Sequence, residues 1–550
     1  MSEKLKIMSL GGLNEIGKNI TVFEYGRDII LVDCGLGFPE DDMYGIDLVI
    51  PDLTYLVKNR ERIRGLFVTH GHEDHIGAIP YAMKEFRAPI HTMPMAAGLI
   101  RLKLEEHGLA KQVRVHTHEA GDVVQLGAFR VEFIRVNHSI ADASAFAIHT
   151  PVGTVVMTGD FKIDATAPGG MTDLGRFGEL GKKGVLALLC DSTNVENPGY
   201  SASETSVADG FDRQFKGCSQ RIIVTTFASN ALRLQSLVNV AHRYGRKIAI
   251  TGRSMENVLQ VSMELGYLKV PKGTIVDISE IKNLPNNKVV IVSTGSQGEN
   301  MSALYRMAFS MHKQVEIHAG DRVIISASAI PGNEKSIGKI INELYRKGAD
   351  VVHDKSAALH ASGHACQEEL KLVHALLKPK FFFPVHGEQR HLQCHAKLAM
   401  QMGMQPKNIF IGEIGQVYEL TKSSCKLAGT VPAGQVLVDG AGVGDVGGVV
   451  LRDRKHLAED GMIVVIVNVS SLDGSVLTGP DIVTRGFIYV KEAGDLMDEL
   501  KTVAAHAIDQ CLARRIRGAA MKTAIKNDLS SYLYKTTKRD PMILPVIIEV

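Results

Sequence analysis

The residues best able to do chemistry stand in one short stretch, Thr69-His70-Gly71-His72-Glu73-Asp74-His75, directly after an apolar run ending at Val68. His70, His72, Asp74 and His75 put four candidate metal ligands within six residues. Imidazoles and carboxylates at that density, on a loop leaving a rigid strand, can serve two adjacent cations. An isolated histidine is usually a satisfied core or surface residue, but an uncompensated cluster of this kind would be poor folding material. Three further apolar runs end in a ligand-type residue: Phe133 to His138, Val155 to Asp160, and Phe381 to His386. Strand ends distant in sequence can converge on one edge of a sheet, and these positions complete a set for two zinc ions. Manganese also suits a mixture of histidine and aspartate.

The elements that must position these groups read as α/β. Short β-rich runs at Asp28 to Val32, Gly65 to Thr69, Val131 to Val136 and Gly153 to Met157 alternate with turns and helical stretches. From about Thr205 a second α/β rhythm begins, with strands Ile222 to Thr226, Lys247 to Thr251, Val289 to Ser293 and Val323 to Ser326, and helical patterns such as Ala231 to Tyr244. A helix-like stretch, Cys366 to Leu377, then precedes the strand Lys380 to Val385, and Gly440 to Gly448 reads as a linker. The remainder, from about Val449, reads strand, strand, helix, helix, strand, with an apolar stripe of Leu496, Leu500, Val503, Ala507 and Cys511. Between Arg514 and Arg539 eight basic side chains face one acid, Asp528, which reads first as a solvated helix face and second as an RNA contact.

Composition bounds the partners. The 550 residues are 45% hydrophobic and 22% charged, an ordinary globular balance, and 62 basic against 60 acidic side chains leave a net charge of +2. Whole-molecule charge therefore gives no argument for nucleic acid, and a polyanion must be held locally. No apolar run approaches the roughly 20 residues of a membrane span. The N-terminus MSEKLKIMSL lacks the apolar region of a secretory signal, so a cytoplasmic location is expected. Seven scattered cysteines without a C-x-x-C pair agree with a reducing cytosol. Two stretches imitate nucleotide loops. Gly12 to Asn19 mimics a P-loop but has Asn19 where a magnesium-binding hydroxyl belongs; Gly442, Gly444 and Gly447 fit G-x-G-x-x-G, but Val449 to Leu451 reads as a strand where a helix should open. Neither is taken as a phosphate site.

His70, His72, Asp74 and His75 match the H-x-H-x-D-H signature of the metallo-β-lactamase superfamily, which the sequence resembles. That resemblance implies one metal held by His70, His72 and His138, another by Asp74, His75 and His386, and Asp160 bridging them. Asp33, in Leu31-Val32-Asp33-Cys34-Gly35, looks like the carboxylate that fixes a ligand imidazole. An α/β unit lying between Asp191 and His364 is similar to the β-CASP nucleases, whose second domain caps the metal site. Their motifs are matched by Asp191 in Asp191-Ser192-Thr193-Asn194, His364 in His360-Ala361-Ser362-Gly363-His364, and His386 in Pro384-Val385-His386-Gly387-Glu388. Histidine at the third position goes with RNA in that family. Gly11 to Gly17, Phe227 to Asn230 and Thr294 to Glu299 resemble its bacterial members, so the likeness covers essentially the whole chain. The implied fold is an αββα metallo-β-lactamase sandwich (residues 1–204 and 353–435) with an inserted β-CASP α/β domain (205–352), a linker (436–448) and a small α+β C-terminal domain (449–550) for oligomerisation or RNA contact.

The function implied by the resemblance is metal-dependent hydrolysis of RNA to 5′-phosphate products, 5′-to-3′ exonucleolytic with endonuclease capability, in mRNA decay and rRNA maturation. Its partners would be single-stranded, preferably 5′-monophosphorylated RNA, a second or further copies in a homodimer or homotetramer, and components of RNA-decay complexes. His364 is the expected proton donor to the leaving 3′ oxygen, with Asp191 orienting it, although the two roles could be exchanged. His360, Ala361, Ser362, Gly363 and His364 would bind substrate, small residues letting backbone amides approach a phosphate. Ser229, Asn230, Ser296 and Gln297 would complete a pocket for a 5′ monophosphate, or else are turn and cap formers. Two other readings compete: a small-molecule metallo-hydrolase of lactones or thioesters, which would not need the insertion with Ser362 and His364, and an inactive RNA-binding scaffold, which would not need a complete ligand set.

Overall fold

The computed structural model describes residues 4–40, 42–167, 169–328, 333–353, 358–472, 475–488 and 494–550. They form two compact units, Met1–Gly37 with Ile50–Val436, and Phe38–Val49 with Leu437–Val550.

Two sheets face each other in the first unit. One has eight strands, ordered Cys425–Thr430, Gln416–Leu420, Leu5–Gly11, Ile20–Tyr25, Asp28–Val32, Ile63–Phe67, Ile90–Thr92 and Val115–Thr117. The other has six, ordered Phe381–Val385, Ala187–Asp191, Gly153–Met157, Ser144–Thr150, Phe129–Arg135 and Val123–Leu126. Leu5, Phe23 and Phe67 from the first meet Phe133, Phe146, Leu189 and Phe383 from the second in one core. Helices Leu174–Lys183, Gln367–Leu377 and Gln389–Gln401 cover the back of the six-stranded sheet through Phe177, Leu180, Leu370, Val373 and Leu398. The aromatic and β-branched runs read as strands are thus buried between layers, where such residues fit a pleated surface.

Register decides where the site forms. Ala187–Asp191 runs parallel to both Gly153–Met157 and Phe381–Val385, with Met157 opposite Leu189 and Asp191 opposite Val385. The loops bearing Asp160 and His386 therefore leave the same edge at which Asp191 ends its strand. On the facing sheet Val32 lies opposite Phe67 in parallel pairing, and the Asp33 amide donates to the Phe67 carbonyl at 2.8 Å, which brings Asp33 beside the loop of ligands.

The chain between these neighbouring strands builds a sheet of its own. It is six-stranded and parallel, ordered Ile275–Val276, Lys247–Thr251, Val289–Ser293, Ile222–Thr226, Arg322–Ser326 and Asp350–Val352. Its central strands are buried along their whole length, as expected of a parallel sheet covered on both faces. Helices Glu204–Phe215 and Ala231–Arg243 pack on one face, Ala303–Ala308 and Glu334–Arg346 on the other.

In the second unit, strands Val476–Arg485, Met462–Val469 and Met542–Glu549 form a sheet in that order. Ile463, Val465, Val467 and Val469 turn to the helices Gly494–Ala513 and Ala519–Thr537, which supply Leu500, Ala507, Cys511, Ile525 and Leu529. Two expectations are corrected here. Val449 to Leu451 belongs not to a strand but to a helix, Gly448–Asp460. The glycine-rich stretch before it contains a hairpin, with Val438 opposite Val443 and Asp439 opposite Gly442. Valine runs favour strands only where a pleated surface can receive them, and no residue of this helix is buried. Of the G-x-G-x-x-G glycines, Gly442 lies in this antiparallel hairpin and Gly447 caps the helix Gly448–Asp460. A helix does follow the motif, but the strand before it pairs antiparallel, unlike the parallel strand that opens a dinucleotide fold. Gly12 to Asn19 likewise leads from the strand Leu5–Gly11 into the strand Ile20–Tyr25, without the helix of a P-loop. All seven cysteines are free thiols, and no helix among the described residues is long and apolar enough to cross a membrane.

Behind the six-stranded sheet, His374 and His395 meet Nε2 to Nε2 at 3.3 Å, and His395 Nδ1 lies 2.9 Å from Ser192 Oγ. Burial lowers both imidazoles, His374 from 6.5 to about 4. The unfolded chain therefore binds more protons between those values than the folded one, and this contribution to stability is full above pH 6.5 and lost as pH falls toward 4. In denaturant titrations from pH 7 to pH 4, the His374→Phe variant should lose less stability than wild type; parallel pH profiles would contradict this.

Candidate active site

Four of the five histidines of the cluster have one ring nitrogen occupied outside it. His75 Nδ1 donates to Asp33 Oδ2 at 2.8 Å. Thr69 Oγ1 donates to the same carboxylate at 2.9 Å and accepts from His70 Nδ1 at 3.0 Å. His138 Nδ1 donates to the Gly363 carbonyl at 2.7 Å. Thr193 Oγ1 donates to the His386 carbonyl at 3.0 Å and accepts from His386 Nδ1 at 2.6 Å. These partners set the tautomers, so His70, His75, His138 and His386 all aim an Nε2 lone pair inward. His72 presents Nδ1 instead, 2.9 Å from His70 Nε2 and 3.1 Å from His138 Nε2. Asp33 and His386 both adopt left-handed backbone, with φ of 63° and 55°. Such conformations cost about 1–3 kcal/mol in a non-glycine residue and persist where the surroundings over-determine them.

Among the described residues three groups of possible ligand atoms lie within 4.8 Å throughout. One, Asp160, Asp191, His364 and His386, includes an adjoining dyad, and the seven ligand candidates make up the other two: His70, His72, His138 and Asp160, and Asp74, His75, Asp160 and His386. Asp160 belongs to both. Its Oδ2 lies 3.6 Å from His70, 3.7 Å from His138 and 3.2 Å from His75, while Asp74 Oδ2 is 3.1 Å from His386 Nε2. Burial depresses His70, His72 and His138, His72 to about 4, so these rings are neutral lone-pair donors at physiological pH. Burial also pulls down His75 and His386, but carboxylates outweigh it: Asp160, Asp74 and Asp33 at His75, and Asp160, Asp191 and Asp74 at His386, which reaches about 10. The second group thus favours positive charge. Ring nitrogens of His70, His72 and His138 meeting at about 3 Å, beside a buried Asp160 Oδ1 that has no hydrogen-bond partner, fit the donor set of a two-cation centre.

A dyad adjoins this cluster. His364 Nδ1 lies 2.8 Å from Asp191 Oδ2, and its ring is 5.0 Å from that of His138 and 5.6 Å from that of His386. Asp191 Oδ1 accepts from the Thr193 amide at 2.9 Å, which orients the carboxylate. Burial disfavours the His364 cation, yet Asp191 more than compensates and raises its pKa. Asp191 itself is pushed up by burial and brought well below the usual carboxylate range by His364. Gly363 is required by packing, since a Cβ there would sit 2.7 Å from the His138 ring.

All seven ligand candidates, His70, His72, Asp74, His75, His138, Asp160 and His386, thus come together, and Asp33, Asp191 and His364 adjoin them. Ser229 and Asn230 follow the strand Ile222–Thr226, and Ser296 and Gln297 follow the neighbouring strand Val289–Ser293. Asn230 is spent inside the protein, its Oδ1 accepting from the Arg233 amide at 2.9 Å and its Nδ2 donating to Glu204 at 3.1 Å. Three residues of the site were not among the sequence-based candidates. Thr69 and Thr193 orient ligand rings. Asn19 Nδ2 reaches His75 Nε2 at 3.2 Å and the Asp74 carbonyl at 3.1 Å, so the residue that spoils the P-loop pattern leans on the ligand loop. For Thr193 alone a hint existed, its place two residues after Asp191.

A sandwich whose strand ends converge on such a cluster, with an α/β domain inserted ahead of its last ligand, defines a metallo-β-lactamase-fold protein of the β-CASP type. Family models agree, matching the metallo-beta-lactamase superfamily over residues 13–184, the beta-CASP domain of ribonuclease J over 219–344, a Zn-dependent metallo-hydrolase RNA specificity domain over 350–411, and the ribonuclease J C-terminal domain over 449–550. Ribonuclease J 1 of Streptococcus pyogenes is 47% identical over 98% of this chain and 97% of its own length. Ribonuclease J of Thermus thermophilus is 43% identical over 100% and 96%, and ribonuclease J2 of Bacillus subtilis 39% over 100% and 99%. The chain belongs to the ribonuclease J family. A crystal structure of a protein of unknown function from Enterococcus faecalis shares the fold at a TM-score of 0.53 and 16% identity, covering 76% of this chain and 100% of that one.

If Asp160 serves both groups, Asp160→Ala should lower the affinity for both cations in a metal titration followed by elemental analysis. Thr193→Val should weaken chiefly the His386 group, by roughly 10- to 100-fold. Unaltered loading in Asp160→Ala would remove the bridging role.

Proposed function

We propose that this chain is a metal-dependent ribonuclease that hydrolyses single-stranded RNA to products with a 5′ phosphate, by 5′-to-3′ exonucleolytic digestion with endonuclease capability. The observation that carries this reading is the His364–Asp191 dyad, 2.8 Å across, beside two ligand groups that share Asp160. Zinc fits the five imidazoles and two carboxylates of those groups, with manganese the alternative. Cations held there would supply Lewis acidity toward water and toward the phosphoryl oxygens. The chain's own residues do the rest. Asp33, Thr69 and Thr193 keep the ligand rings aimed, while His364, whose protonated form Asp191 favours, gives its proton to the departing 3′ oxygen. Its ring is about one-fifth exposed, enough for a strand to reach it. The loop His360 to His364 offers backbone groups to the scissile phosphate. Ser229, Ser296 and Gln297 would meet a 5′ monophosphate beyond the carboxyl ends of two neighbouring parallel strands, where open α/β sheets bind ligands, with Asn230 shaping that loop from within.

Self-association as a homodimer or homotetramer is assigned to the second unit. On the sheet face turned away from its helices, Leu544 and Val483 flank Val464, and Leu544 and Val483 are both exposed. Seven free cysteines accord with a cytoplasmic setting, and the activity accords with roles in mRNA decay and rRNA maturation.

The test is end-labelled RNA bearing a 5′ monophosphate, triphosphate or hydroxyl, incubated with and without chelator. Monophosphorylated RNA should be digested fastest and chelator should stop the reaction. His72→Ala should be inactive, and His364→Ala should slow single turnover by roughly a hundred- to ten-thousand-fold while retaining its metals. Undiminished cutting by metal-stripped protein would end this reading.

A further inference from the structure

We propose that Arg233 and Glu204, a buried ion pair in the inserted domain, are positioning residues that hold the loop His360 to His364 in register over the ligand cluster. The proposal rests on the ribonuclease reading for its kinetic consequence, but its structural content stands on the pair's own contacts.

The two side chains are 1% and 5% exposed and meet with Nη2 2.7 Å from Oε1 and Nε 3.3 Å from Oε2. A pair this dry is weak grounds for stability, because desolvation offsets its attraction and apolar residues of similar size often do as well. The rest of the guanidinium shows another use. Nη2 donates to the Ala361 carbonyl at 3.1 Å, Nη1 donates to the Ser326 carbonyl at 2.7 Å, and Nη1 lies 3.3 Å from His360 Nδ1. Ser326 Oγ in turn donates to the Leu359 carbonyl at 2.5 Å. One planar fork thus grips the entry to the loop and the end of the strand beside it, which a lysine ammonium could not match.

The loop's other end is fixed to the metallo-β-lactamase core. His138 Nδ1 donates to the Gly363 carbonyl, and Asn194 Nδ2 donates to the His364 carbonyl at 3.2 Å. Glu204 reaches the same core from the opposite side. Its amide donates to Asp164 Oδ2 at 3.3 Å, and the Asp164 amide donates to Asn137 Oδ1 at 3.0 Å. Lys162 Nζ, 3.5 Å from Asp164 Oδ2, donates to the Ala202 carbonyl at 3.0 Å and ties down the segment entering the inserted domain. The contacts close a ring running from Asn137 through Asp164, Glu204, Arg233, Ala361 and Gly363 to His138. Arg233 is the member that joins the inserted domain to the loop. A fold needs no such closure for packing alone, whereas a dyad that must meet a phosphate within a fraction of an ångström does.

The test separates packing from positioning. Arg233→Met alone strands a buried carboxylate and should unfold at lower denaturant. In the double variant Arg233→Met/Glu204→Leu no charge is left stranded, and the midpoint should return toward wild type. Its metal content should be normal, but amide exchange across residues 358–364 should accelerate, and kcat on 5′-monophosphorylated RNA should fall by about a hundredfold with a smaller change in KM. Arg233→Lys, which keeps the charge and loses the fork, should show the same kinetic defect in milder form and serves if the double variant does not fold. Wild-type exchange at 358–364 in these variants, or wild-type kcat and KM in a stable one, would overturn the proposal. A wild-type protein that does not cut RNA would instead sink the ribonuclease reading, leaving the exchange result to decide the brace.

Discussion

The structure depends on a concentration of buried imidazoles and carboxylates held close together around Asp160, whose Oδ1 has no hydrogen-bond partner. Five imidazole nitrogens and the carboxylates of Asp74 and Asp160 point into one small volume. Their outward nitrogens, apart from that of His72, are spoken for by Asp33, Thr69, Gly363 and Thr193. Such a site is costly unless cations compensate it, and the outer partners are what prevent its collapse into internal hydrogen bonds. The folding energy for this comes from elsewhere, from buried cores that include the aromatic layer in which Phe67, Phe133 and Phe146 pack with centroids 5.1 to 6.1 Å apart.

Topology explains how a large domain interrupts the site without dispersing it. The strands Ala187–Asp191 and Phe381–Val385 are hydrogen-bonded neighbours, so the insertion leaves and re-enters the sandwich at adjacent points. Asp191 and His386 consequently belong to one edge whatever the intervening chain does. The inserted domain gains a route to that edge through the loop 358–364, which carries His364 to Asp191 and rests Gly363 on His138.

Electrostatics divide the labour within the site. Burial keeps His70, His72 and His138 neutral, whereas carboxylates draw positive charge toward His75, His386 and His364. The same residue type is thereby a neutral donor on one side and a cation's host or proton carrier on the other. The difference lies in whether Asp160, Asp74 or Asp191 stands opposite, an instance of environment parting the pKa values of like groups.

By itself the sequence determined the ligand types, the density of the 70–75 cluster and most strands, Ile222–Thr226 and Lys247–Thr251 to the residue, because these are local patterns. The helix Gly448–Asp460 escaped because its valines carry a strand preference that no sheet there takes up. Tertiary structure alone decided which nitrogen of each histidine faces inward, that Asn19, Thr193 and Arg233 have any part in the site, and that Asn230 is internal scaffold. Asn19 meets His75 across 56 positions, Thr193 meets His386 across 193, and Arg233 meets Ala361 across 128. Hydrogen bonds at such separations leave no periodicity in the chain, because their partners become neighbours only when the sheets align.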